Sequence, residues 1–143
     1  MKTTLSQFDM EREEVEKNIH ATIAWALTKD FHQLYSAVAQ DEDFFIFHPD
    51  SKSTIIGFEA FKRFGESTWT QEAFKATDYA IKDLRINLAE MGNIAWYSCL
   101  LDDHAMWNGH PIGWDNCRWT GVLEKRVGKW VTVQMHFSFP KDG

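Results

Sequence analysis

The period of the apolar positions changes along the chain, from helical spacing near the start to strict alternation in the second half. Residues 10–28 place Val15, Ile19, Ile23 and Ala26–Leu27 on one helical stripe, with Trp25 beside it. Ser6 or Asp9 can cap that helix, and Glu11, Glu13 and Glu14 suit its positive N-terminal end. Lys29 and Asp30 break the period. Asp30 followed by Gln33 is a capping-box pair, which predicts a second helix over Phe31–Ala39 with Phe31, Leu34, Tyr35 and Val38 inward. Phe44–His48 reads as a short aromatic strand stopped by Pro49, with Ser53–Ile56 as its hairpin partner. A third helix is expected from Phe58 to about Ser67, turning Phe58, Phe61 and Phe64 to the core. Residues 68–78 fit either a helix or an irregular segment.

From there on the chain reads as strand. Leu84, Ile86 and Leu88 alternate with Arg85, Asn87 and Ala89, and Met91-Gly92-Asn93 turns the chain. Ile94–Asp103 is a strand, Asn108-Gly109 is a hairpin signal, and Asp115–Lys125 and Trp130–Phe139 complete the sheet. Helices first and an antiparallel sheet afterwards predict an α+β domain. For the last hairpin, a three-residue loop with Gly128 in the left-handed conformation keeps the two faces sorted. That register sets Lys125 opposite Lys129, Arg118 opposite His136 and Thr120 opposite Gln134. The other face then carries Trp119, Gly121, Leu123, Val131, Val133, Met135 and Phe137.

Length and composition narrow the function classes. The 143 residues make one domain, 1–143, large enough for one sizeable core. Net charge is −6 and the basic residues are scattered, so the footprint of a nucleic-acid binder is missing. No basic amphipathic helix and no apolar run of membrane-spanning length occur, so no membrane partner is expected. The N-terminal stretch lacks the apolar core of a signal peptide, which makes a cytoplasmic setting the expectation. Cys99 and Cys117 belong to no CxxC motif and are expected as free, buried thiols. Pairing about Asn108-Gly109 sets Cys99 opposite Arg118, with Cys117 on the other face. Seven Trp and eleven Phe exceed what a core of this size needs, so some rings either line an apolar pocket or cover an interface.

Gly128-Lys129-Trp130 followed by His136-x-Ser138 carries a family resemblance. So does the order helix, helix, FFIFHPDS (residues 44–51), Gly57, helix and four strands. Over about residues 9–140 the chain resembles the nuclear transport factor 2-like superfamily. Within it, the chain resembles the SnoaL-like branch and the association domain of calcium/calmodulin-dependent protein kinase. The resemblance implies a cone in which a strongly curved, mainly antiparallel sheet wraps the long N-terminal helix, as in ketosteroid isomerases, with a pocket open at one end. It also implies a homodimer packed through a sheet face, and no cofactor. Two positions depart from the patterns. His48 precedes Pro49 where ketosteroid isomerases have a catalytic Asp before a Pro. Phe137 stands where the kinase association domain has a pocket Arg.

The candidate catalytic residues are His48, Asp50, Arg118 and His136. His48 with Asp50 is either a base oriented by a carboxylate or a turn capped by Asp50. Arg118 with His136 is either an anion or carbonyl site or part of a polar dimer face. Trp25, His48, Trp69, Trp96, Trp119 and Phe137 are the expected pocket residues. Asp102, Asp103, His104 and His110 are metal-ligand types, but their spacing matches no metal motif, so they read as a solvated hairpin arm and no metal is expected. The leading expectation is a domain that holds a small, largely apolar ligand, with acid–base isomerase, cyclase or hydrolase chemistry. The alternative is a non-catalytic assembly or regulatory module.

Overall fold

A computed structural model describes residues 6–142. Helix α1 spans Gln7–Ala24 and buries Val15, Ile19 and Thr22, one apolar stripe. Its cap is Ser6, whose side chain accepts from the Asp9 N–H at 3.1 Å. A 3-10 turn, Trp25–Leu27, ends the run, and Lys29 reverses the chain with φ 55°. Helix α2, Phe31–Ser36, starts at Asp30, which accepts from the Gln33 N–H at 3.0 Å. Strand β1 (Phe45–Phe47) pairs antiparallel with β2 (Ile55–Ile56), and helix α3 (Phe58–Phe64) continues into a π-helical turn over Gly65–Trp69. Residues 68–78 therefore split, with a helical turn through Trp69 and strand from Phe74 onward.

Four long strands follow: β3 (Phe74–Leu88), β4 (Ile94–Trp107), β5 (His110–Arg126) and β6 (Lys129–Ser138). The sheet order is β2-β1-β6-β5-β4-β3, antiparallel throughout except for the parallel pair β1–β6. The architecture is α+β, with the helices packed on one face. Asn108 and Gly109, at φ 50° and 80°, form the two-residue turn that joins β4 to β5.

The last hairpin corrects the expected register. Val127 and Gly128 both have positive φ, 49° and 76°, so the loop has two residues and Arg126 faces Lys129. The extra residue is absorbed further along, where Val122 pairs with Gln134 but Leu123 pairs with Thr132, leaving Val133 as a bulge. Arg118 consequently faces Ser138, and Thr120 faces His136. Below the bulge the inward parity changes, so Thr132 rather than Val133 is fully buried. Thr132 donates its hydroxyl to Asn18 Oδ1 on α1 at 2.7 Å, which fixes that choice.

A second bulge corrects the cysteine pairing. Leu101 pairs with Cys117 while Asp103 pairs with Trp114, so β5 carries one extra residue there, where Asn116 has φ 52°. Cys99 then faces Trp119, and both cysteines lie buried on the inner side as free thiols. Burial pushes the Cys99 thiol up to about 12 and the Cys117 thiol up to about 11. Neither is a ready nucleophile at neutral pH.

Between Glu11 and Asn18, α1 is docked by polar groups. Glu11 accepts from Lys125 and from the Trp130 indole N–H, which draws its carboxyl below the usual range. Asn18 donates to the carbonyls of Ala37 and Trp130 at 2.9 and 3.0 Å, and Arg12 donates to the Ile86 carbonyl at 2.8 Å. The C-terminal end of α1 is different: its side chains face a cavity.

Candidate functional site

The cavity measures about 340 Å³ and lies between the end of α1, the α3 region and the inner sheet face. Thr22, Ile23, Trp25 and Ala26 close it from the end of α1 and the 3-10 turn, and Phe61, Phe64 and Trp69 from α3 and the π-helical turn. Ala105, Gly113, Trp114, Met135 and Phe137 form the sheet wall. Its rings are packed into two groups. Trp25 lies 5.1 Å from Trp69, which lies 5.0 Å from Phe64; Trp114 lies 5.2 Å from Phe137. The volume is at the lower end of the about 300–1,000 Å³ typical of small-molecule sites.

Three ionisable side chains line this apolar space: His48, Asp50 and Asp103. His48 follows β1, and its ring stacks on Phe137 at 5.6 Å with planes 6° apart. Phe137 in turn stacks on fully buried Trp119 at 5.4 Å, so the imidazole rests on a fixed aromatic column. His48 Nδ1 is 2.6 Å from the Ser53 carbonyl oxygen. A carbonyl only accepts, so Nδ1 carries the proton and Nε2 of the neutral ring keeps its lone pair.

Asp50 accepts from the Lys52 N–H at 2.9 Å and from the Ser53 hydroxyl at 3.0 Å. The Ser53 hydrogen bond holds its carboxyl below the usual range. Asp50 therefore shapes the turn that presents the Ser53 carbonyl, and that carbonyl, not the carboxylate, holds the His48 ring.

Asp103 sits on β4, on the same side as Ala95, Tyr97, Cys99 and Leu101. Burial pushes its carboxyl up to about 6, and no hydrogen bond counters that effect. Gly113 makes the placement possible. With φ 130° it approaches β4 so closely that a Cβ there would run into the Asp103 carbonyl oxygen. The next residue, His104, points to the opposite face, where Nδ1 meets Asp78 at 2.6 Å and Nε2 meets Asp115 at 2.7 Å. These two carboxylates raise the His104 pKa.

Of the residues expected in the pocket, Trp25, His48, Trp69 and Phe137 line it, as does Asp50. Trp119 backs the wall from within the core, and Trp96 lies on the outer sheet face, 46% exposed. Arg118 and His136 are exposed on that outer face, and His136 packs against Phe47 with ring centroids 5.3 Å apart. Asp103, Trp114 and Phe64 line the cavity without having been singled out for it. For Asp103 the signal was present, because it falls on the apolar parity of Ala95-x-Tyr97-x-Cys99-x-Leu101. Among the described residues, no three His, Cys, Asp or Glu side chains converge on a metal position, and no helix is long and apolar enough to cross a membrane.

Comparison with known proteins places the chain. The SnoaL-like domain family matches residues 15–142, so the chain belongs to that family. No curated protein matches it. A protein provisionally named a dehydratase of the NTF2-like family, from Streptomyces avermitilis, superposes with a TM-score of 0.77 at 17% identity, over 95% of this chain and 100% of that one. The association domain of C. elegans CaMKII gives 0.67 at 17% identity, over 92% and 97%. An NTF2-like protein of unknown function from Pseudomonas putida gives 0.71 at 16%, over 95% and 90%. These likenesses establish the NTF2-like fold.

Proposed function

We propose that this SnoaL-like domain binds a small, largely apolar ligand in the cavity and moves protons on it with His48 and Asp103. The carrying observation is the Asp103 carboxyl, desolvated in an aromatic cavity that the His48 ring also lines. A group titrating at about 6 can take or give a proton near neutral pH. His48 Nε2, held by the Nδ1–H bond to Ser53, is a second acceptor with a fixed direction. Removal of a proton from an activated C–H by one group and its return at another position by the other is the chemistry of isomerisation. Donation to a leaving hydroxyl instead gives dehydration, the reaction named for the Streptomyces avermitilis neighbour.

2-Tetralone tests this reading, since it is apolar and carries acidic C–H bonds beside its carbonyl. Quenching of tryptophan emission should report its binding, and proton NMR in D2O should show deuterium exchange at those carbons above the buffer rate. Ala26→Phe, which fills the cavity, should abolish binding; His48→Gln should retain binding and lose the exchange. Absence of binding by 2-tetralone and by its amine analogue alike, or binding untouched by Ala26→Phe, defeats the pocket reading. Binding with no added exchange defeats the chemistry.

The outer sheet face favours a second reading, a surface for a second copy of the chain. Phe47 and Trp96 are 45% and 46% exposed there, beside the polar Arg118, Thr120 and His136. Sedimentation velocity should show a dimer that Trp96→Glu dissociates. A monomeric wild-type protein ends this second reading.

A further inference from the structure

We infer that the ligand of this cavity is a small organic cation, an ammonium group carried on an apolar frame. This rests on the reading of the cavity as a ligand site and adds the ligand's charge. The lining holds two carboxyl groups, Asp50 and Asp103, and neither Lys nor Arg is among the described lining residues. An anionic ligand would meet two carboxylates and the negative faces of aromatic rings. A neutral ligand would leave Asp103 in an apolar wall with only His104, on the opposite sheet face, as an opposing charge, which is costly. An ammonium group matches both features at once, because ring faces attract cations and do so more strongly when water is excluded. Trp25 and Trp69 on one side and Trp114 on the other line the cavity with such rings, while the faces of Phe137 are taken by His48 and Trp119.

The nearby cations do not substitute for a ligand. Lys29 is not a lining residue; its Nζ lies 5.7 Å from the centroid of the lining ring of Phe74 and donates to the Gln71 carbonyl at 2.8 Å. His104 points to the opposite sheet face and is engaged by Asp78 and Asp115. The chain's net charge of −6 also draws cations toward the molecule.

The charge assignment fixes the sign of a pH dependence. Asp103 is influenced by His104 on its own strand and Asp78 on β3, and it acts on Cys117 of β5; His48 and Asp50 share the cavity. A bound cation favours ionised Asp103, so affinity rises with pH through about 6.

Three probes on one skeleton test this by titration calorimetry: 2-aminotetralin, 2-tetralol and tetralin-2-carboxylate. Near neutral pH the amine should bind about tenfold or more tighter than the alcohol, with the carboxylate weakest. On going to about pH 5 the amine should lose most of that advantage while remaining charged itself. Asp103→Asn should remove the advantage near neutral pH. If that variant fails to fold, the pH comparison on the wild-type protein decides alone. An alcohol that binds as tightly as the amine overturns the charge assignment and leaves the cavity reading standing. An amine advantage unchanged at the lower pH and in Asp103→Asn overturns Asp103 as the counter-ion. Failure of all three probes, together with 2-tetralone, removes the cavity reading and this inference with it.

Discussion

The two ends of helix α1 solve opposite problems with the same kinds of residue. From Glu11 to Asn18, the partly buried polar side chains meet partners: Glu11 meets Lys125 and Trp130, and Asn18 meets Ala37, Trp130 and Thr132. At the C-terminal end, Thr22 and Ile23, with Trp25 and Ala26 of the following 3-10 turn, face a cavity where the Asp103 carboxyl has no hydrogen bond to hold its charge and His48 Nε2 keeps a free lone pair. The first end gains stability from its polar groups. The second end gives up stability, which a small domain tolerates only at a few positions. Paired polar groups thus mark the structural end, and unpaired ones mark the end where a ligand can complete the set.

Removal of the best-connected group at the structural end should have the largest effect. Asn18→Ala breaks two donated bonds and strands the hydroxyl of Thr132, which is fully buried. We expect a loss of about 3 kcal/mol in urea denaturation. A loss below about 1 kcal/mol would mean that apolar packing alone docks α1, and the contrast between the two ends would disappear.

The same contrast explains what could be read in the sequence. The start of α2 was legible and that of α1 was narrowed to two caps, because capping is local: Ser6 to Asp9 and Asp30 to Gln33 span three residues each. The order of elements and the α+β class followed from the change of period, and the resemblance carried by Gly128-Lys129-Trp130 led to the right family. The register of the last hairpin was not legible. It depends on where one extra residue is absorbed, and that is settled by the bond between Thr132 and Asn18, 114 positions apart. Local alternation alone favoured a bulge at the turn. Asp103 was hidden for a different reason. Next to Asp102 and His104 it looked like part of a solvated arm, although its parity placed it inside. The expected strand ended at Asp103, whereas β4 runs on to Trp107 and sets position 103 well inside the sheet.

Two carboxyl groups, one at each end, should respond to pH in opposite directions. Glu11, lowered chiefly by its bond to Lys125, contributes stability that is present above its unfolded pKa and lost as pH falls through its folded value. Asp103 is the reverse case. Its folded pKa, about 6, lies above the unfolded value near 3.9, so the folded protein holds the proton longer. Between those values stability falls as pH rises, and above them the full cost of the buried charge is present. Asp103→Asn removes that charge and should therefore stabilise the protein near pH 8 by about 2 kcal/mol, with the gain shrinking toward zero near pH 4. Urea denaturation at the two pH values measures both arms. A variant no more stable than wild type near pH 8 would show that Asp103 is well solvated, and the cavity would then lose the unpaired charge that separates it from the other end of α1. A gain of equal size at both pH values would instead assign the effect to packing of the amide.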